Sequence, residues 1–150
     1  MATLAIINPA TGGQIDEVPA DDAATVALKA AQARAAQPRW QRVPLTERKA
    51  CIERFRALVV RDLESLARTL TLDTGKPIRQ ARNELNGLLG RIDFFLGAVE
   101  RSTSTETVFE EGGMREQIEH VPLGVVGNIS AWNYPWFVGG IFGVVGQRLT

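Results

Sequence analysis

The sequence predicts an α/β fold, and three observations carry that reading. Apolar residues recur at three- and four-residue steps through the middle of the chain, the signature of helices with one buried face. Short β-prone runs bounded by turn residues flank those helices. After them, Leu123-Gly124-Val125-Val126-Gly127-Asn128-Ile129 is an almost unbroken apolar run, as strands of a buried parallel sheet are.

Leu4 to Asn8 reads as a first strand, Pro9-Ala10-Thr11-Gly12-Gly13 as a turn, and Gln14 to Val18 as a second strand pairing back. Asp21 is placed to cap an alanine-rich helix over Ala23 to Gln37, which Pro38 should end. A second helix follows Pro44, with Thr46 as N-cap and Glu47 in the first turn, where the helix dipole favours a carboxylate. Ile52, Phe55, Leu58, Val59, Leu63, Leu66 and Leu70 form its buried face, and Gly75 and Pro77 mark its end. Ile78, Ala81, Leu85, Leu89, Ile92, Leu96 and Val99 give a third helix the same period. Ser102 to Glu111, the Gly112-Gly113 turn and Arg115 to Val121 read as a hairpin, and the buried strand follows Pro122. Gly124 and Gly127 lack the Gly-x-Gly-x-x-Gly spacing of a phosphate loop, and within a strand they suit close packing in the sheet. The Gly-Val-Val-Gly string at 124–127 recurs at 143–146, a repeat too short to exceed chance.

Composition excludes several function classes. Seventeen basic and seventeen acidic side chains cancel, leaving no basic excess for nucleic acid. The most hydrophobic stretch, Tyr134 to Gly146, is too short and glycine-rich to span a membrane. Cys51 is the single cysteine, so no internal disulfide forms; with no basic leader at the N-terminus, a reducing, cytoplasmic setting is expected. Cys51 lies beside Ile52 with no paired histidine and reads as a structural thiol. His120 has no partner at metal-ligand spacing and reads as a hairpin residue. Glu84 reads as a solvated or salt-bridged face residue rather than a general base.

The candidate chemistry sits where the buried strand runs into Ser130-Ala131-Trp132-Asn133-Tyr134-Pro135, because open α/β sheets bind ligands at the carboxyl ends of their strands. Two readings of Asn133 stand side by side. Its amide can donate to a developing oxyanion; alternatively it caps the next helix while Trp132 fills the core.

Pro122 to Pro135, with the sequence quoted above at its centre, closely resembles the signature of the aldehyde dehydrogenase superfamily. Most members carry proline where this chain has Ala131, and the Ala-Trp-Asn-Tyr-Pro version resembles the betaine-aldehyde and aminoaldehyde branch. Asn8-Pro9-Ala10-Thr11-Gly12, Trp40 with Pro44, Glu47 and Arg48, and Asp73-Thr74-Gly75-Lys76-Pro77 with Ala81 and Glu84 follow in the family's order. The resemblance covers residues 4 to 138. It implies an incomplete Rossmann-like cofactor-binding domain with an oligomerisation hairpin at about 102–121, in a parent enzyme that is a homo-oligomer.

It also implies a reaction. A cysteine attacks the aldehyde substrate, and Asn133 with the cysteine's own N–H holds the oxyanion of the adduct. Hydride passes to NAD or NADP, and a glutamate-activated water releases the acid. By the same resemblance Ile129, Ser130, Ala131 and Trp132 line the nicotinamide end of the cofactor cleft. A monovalent cation in some related enzymes corresponds to Ile6, Ile7 and Asp73, mostly through backbone oxygens.

The resemblance fades at Gly139 or Gly140. The family continues into a helix with a Pro-Ala-Leu run and then a strand whose lysine binds the adenosine ribose region, whereas residues 139–150 are glycine-rich and divergent. A frameshift or early stop in a longer gene is the expected origin of this tail, and the family's cysteine and catalytic glutamate are absent. Two functions follow as expectations. The chain is the N-terminal piece of an NAD(P)+-dependent aldehyde dehydrogenase, inactive alone; or it is a non-catalytic remnant or interaction module that pairs with homologues through the hairpin by strand addition.

Overall fold

The computed structural model describes residues 2–140. The second Gly-Val-Val-Gly string and most of the divergent tail lie outside them.

Strands β1 (Thr3–Ile7) and β2 (Gln14–Pro19) form an antiparallel hairpin whose register shifts between Ile6 and Ile7. Asn8 Oδ1 accepts from Ala10 N at 2.9 Å and Gly12 takes φ +70°, which together close the turn. Helix α1 (Ala23–Trp40) is capped by Asp22, whose Oδ1 accepts from Thr25 N at 2.7 Å. The expected cap, Asp21, instead pairs with Lys29. Pro38 does not end the helix. It lies in the final turn, where a missing N–H costs one solvent-facing bond, and Gln41 N still reaches Gln37 O at 2.9 Å.

The long second helix of the sequence reading is two: α2 (Leu45–Arg61) and α3 (Leu63–Thr74), broken at Asp62 with φ −103° and ψ 12°. Pro44, not Thr46, stands at the N-terminus of α2; its carbonyl accepts from Glu47 N and Arg48 N. The break re-aims the apolar stripe. Val59 of α2 and Ala67 and Leu70 of α3 are all buried, while Leu58, expected in the face, is 48% exposed. Gly75 closes α3 in the left-handed conformation, φ +73°, with its N–H on Thr71 O.

Helix α4 (Ile78–Thr103) is the centre of the molecule. Ala81, Leu85, Leu88, Ile92 and Val99 are all buried, and α2 and α3 pack on that stripe through Ile52, Val59, Ala67 and Leu70. Exposed ion pairs Lys49–Glu100, Arg56–Asp93 and Arg82–Glu64 brace the same helices at the rim. The hairpin follows as β3 (Glu106–Glu111) and β4 (Met114–Ile118), turned by Gly112 and Gly113 at φ +59° and +85°. It starts later than expected because Ser102 and Thr103 stay helical, their hydroxyls bonded to Ala98 O and Val99 O.

The main departure is Leu123 to Ile129. The expected buried strand is a segment without helix or strand pairing, and Ile129 is fully exposed. A strand is completed by its hydrogen-bonded neighbours, and among the described residues none lies beside this one. Gly124 bends it with φ +96°. Neither Gly124 nor Gly127 has an atom within 4 Å of a would-be Cβ, so neither serves close packing. Residues 135–140 then form a helical segment that lies on α4. Among the described residues, no helix is long and apolar enough to cross a membrane.

Candidate functional site

The site is the turn at Trp132-Asn133-Tyr134 and the helical start behind it. Pro135 fits a first helical position, and Val138 N donates to Tyr134 O at 2.9 Å. The start is seated on α4: Phe137 lies against Gly87, where a Cβ would stand 3.4 Å from its ring, and beneath Arg91 at 5.6 Å. Trp136 packs against the helical core.

The first turn of that helix leaves backbone donors that need partners. Glu84 supplies them from α4. Its Oε1 accepts from Trp136 N at 2.8 Å and Phe137 N at 3.1 Å, while its Oε2 pairs with Lys76. Lys76 also donates to Asn133 O at 2.6 Å and lies 4.0 Å from the centre of the Tyr134 ring. The Glu84 side chain is fully buried and that of Lys76 is 10% exposed. A buried ion pair is favourable only when its remaining hydrogen-bond sites are filled, and here both partners fill them from the turn.

Glu84 is therefore salt-bridged, one of the two alternatives expected, but it lies in the buried stripe rather than on a helix face, a correction to the sequence reading. It occupies the buried stripe three residues beyond Ala81 and four before Leu88. A carboxylate in that register was the available signal. Lys76 carries no such signal in the sequence, because its spacing to Glu84 spans the Gly75–Pro77 corner rather than one helix.

Asn133 itself is exposed, and its side-chain amide has no hydrogen-bond partner among the described residues. It does not cap the following helix, since Glu84 holds the donors it would take. Trp132 is 85% exposed and is not core. Of the other expected cofactor residues, Ile129 and Ala131 are exposed, whereas the Ser130 hydroxyl is buried and unpartnered among the described residues, against Gly139. A 400 Å³ hollow beside the turn is lined by Gln80, Asn83, Glu84, Gly87, Tyr134 and Phe137.

The residues matched to a monovalent cation are spread over two elements: Ile6 and Ile7 on β1, Asp73 in the last turn of α3. No metal-binding cluster of three or more His, Cys, Asp or Glu side chains forms among the described residues. Cys51 is half-buried on α2, with Arg54 Nη2 donating to its Sγ at 2.9 Å, and His120 is exposed just beyond β4.

The chain is similar to known proteins over nearly all its length. A family model described as aldehyde dehydrogenase matches residues 2–141. The 3,6-anhydro-alpha-L-galactose dehydrogenase of Streptomyces coelicolor is 35% identical over 136 residues, covering 89% of this chain and 27% of that protein. Succinate-semialdehyde dehydrogenase from Burkholderia pseudomallei superposes with a TM-score of 0.91 at 28% identity, over 99% of this chain and 31% of that one. PnpE, solved in complex with nicotinamide adenine dinucleotide, superposes with a TM-score of 0.90 at 25% identity, over 99% of this chain and 30% of that one. The chain thus spans about a quarter of the length of the curated relatives it matches. With its order of helices, its hairpin and its Asn133 turn all inside the matched span, the chain belongs to the aldehyde dehydrogenase family.

Proposed function

We propose that these residues supply the oxyanion-binding amide and one wall of the nicotinamide cleft of an NAD(P)+-dependent aldehyde dehydrogenase. The observation that carries this reading is Asn133, an exposed amide without a partner among the described residues, on a turn whose backbone is held by Lys76. Such a donor gives up no protein bond when it meets a negative oxygen. It therefore favours the charged adduct over the neutral aldehyde, which is how an oxyanion site accelerates acyl-type chemistry.

Exposed Ile129 and Trp132 offer apolar surface that suits a flat ring. Bound there, oxidised nicotinamide would supply the hydride acceptor. The part of these side chains is to bury the ring and keep water from it. The nucleophile must come from residues other than Cys51, which sits on α2 bonded by Arg54.

A chimaera tests the reading: residues 2–141 replace the matching segment of the Streptomyces coelicolor relative, and aldehyde-dependent NAD(P)H formation is followed. Turnover is expected, and Asn133→Ala should lower kcat on the order of a hundred-fold or more. A chimaera that turns over equally well with alanine at 133 sinks the proposal.

The hairpin supports a second proposal, that the parent enzyme is a homo-oligomer joined in part through β3 and β4. Every residue of both strands is exposed, including Val108, Phe109, Met114 and Ile118, and a two-stranded hairpin with open edges is a ready template for pairing. Light scattering on the chimaera checks it. Phe109→Glu with Met114→Glu should reduce the assembled mass, and an unchanged mass removes the hairpin from the interface.

A further inference from the structure

We propose that Glu84 and Lys76 are positioning residues for Asn133: by taking the donors of the helix behind the turn and holding the Asn133 carbonyl, they leave its side-chain amide free to bind. This rests on the catalytic reading of Asn133 given above.

Tyr134 is the cap residue of the helix, since its carbonyl takes Val138 N, and Asn133 stands one residue before it. A short amide side chain there can fold back to accept from the open backbone N–H groups of the first turn, as Asn does at helix starts and turns. In this turn those donors are Trp136 N and Phe137 N, and both are on Glu84 Oε1. Tyr134, between Asn133 and Pro135, has no side-chain acceptor suited to the task. Were Glu84 absent, the nearby acceptor of capping type would be Asn133, and its carboxamide would turn inward, away from any ligand. Glu84 is the more stable cap, because a carboxylate at a helix N-terminus gains from the dipole as well as from the hydrogen bonds.

Lys76 completes the device. It neutralises the buried carboxylate, donates to Asn133 O, and lies over the Tyr134 ring, so the residues on both sides of the Asn133 peptide are tied to one ammonium group. Lys76 is itself held at a corner fixed by the left-handed Gly75 and by Thr74, whose hydroxyl bonds Leu70 O at 2.7 Å and accepts from Lys76 N at 3.3 Å. The two positioning residues hold the turn through its backbone, at Asn133 O, Trp136 N and Phe137 N, and neither bonds the Asn133 side chain.

The test is NMR on the 15N-labelled chain, comparing wild type with Glu84→Ala, Glu84→Gln and Lys76→Met. In wild type, Trp136 and Phe137 amides are expected to exchange slowly. Glu84→Ala should shift the Asn133 side-chain amide resonances and speed exchange at Trp136 or Phe137 about tenfold, the loss of one hydrogen bond. Glu84→Gln keeps one acceptor oxygen and should return the Asn133 side chain to its wild-type resonances. Lys76→Met should move the Tyr134 amide while the α2–α4 core keeps its protection. Unprotected Trp136 and Phe137 in wild type, or unmoved Asn133 side-chain resonances in a folded Glu84→Ala, overturn the proposal. If Glu84→Ala melts the core, Lys76→Met decides, and an unmoved Tyr134 amide overturns it. An inactive chimaera with these resonances behaving as stated removes the catalytic reading of Asn133 and leaves the positioning intact.

Discussion

Gly140 stands so close to Leu88 that a Cβ at position 140 would lie 2.7 Å from Leu88 Cδ1 and 3.0 Å from Cδ2. Leu88 is fully buried, so its methyls have no free space to swing into. Gly140→Ala is expected to destabilise the chain by about 1–3 kcal/mol, read as a lower urea midpoint. Leu88→Ala should make the Gly140→Ala change nearly neutral, since the atoms it strikes are gone. Strictly additive midpoints in that double-mutant cycle would contradict the packing described.

Gly75 carries a second constraint of this kind. It needs the left-handed backbone, and a Cβ there would also sit 3.0 Å from Pro9 Cγ in the first hairpin turn. Gly75→Ala should cost roughly 1–2 kcal/mol from the backbone alone. Asparagine, which tolerates that backbone, should rescue the loss incompletely until Pro9→Ala removes the opposing atom. Full rescue by Gly75→Asn alone shows that the Pro9 contact is immaterial.

The ion pairs at the helical rim set an acid limit. The side-chain hydrogen bonds from Arg56 to Asp93, Arg82 to Glu64 and Lys49 to Glu100 hold all three carboxyls below their ordinary values. A depressed carboxylate adds stability that is complete above its unfolded pKa and is lost as pH falls through the folded one. Unfolding midpoints should thus be level near neutrality and decline below about pH 4. These groups are exposed, so 1 M salt should shrink the decline. An acid slope untouched by Asp93→Asn, Glu64→Gln and Glu100→Gln together would assign it to other groups.

The unpaired segment before the site has its own signature. Val121, Leu123, Ile129 and Trp132 are exposed within about a dozen residues, an apolar patch of the kind that associates. The 150-residue chain is expected to show a sedimentation coefficient that rises with concentration, and Ile129→Lys with Leu123→Lys should weaken that rise. The same chain should form no NAD(P)H from aldehyde, because its single thiol lies on α2. A concentration-independent monomer refutes the first expectation, and turnover refutes the second.

Local rules made much of this legible. The period of α4, the left-handed Gly75, the Gly112-Gly113 turn and the hairpins each follow from residues close in sequence. What failed depended on distant partners. Leu123 to Ile129 has strand composition but no neighbour among the described residues, and the break at Asp62 is visible only through which side chains meet α4. Asn133 is marked by its sequence surroundings, whereas a lone helical carboxylate such as Glu84 reads as a solvated or salt-bridged face residue. Its role depends on amides 52 and 53 positions downstream, which donate to its oxygen.

That separation has a consequence for how the chain acquires its shape. The Trp136 amide finds its acceptor 52 residues earlier, not in its own loop. Closing so long a loop is slow and rewarding only once both ends are ordered. The Asn133 turn is thus a late event in folding, assembled after the corner between α3 and α4 exists. A synthetic peptide of residues 119–140 would carry every atom of the signature and still lack its geometry.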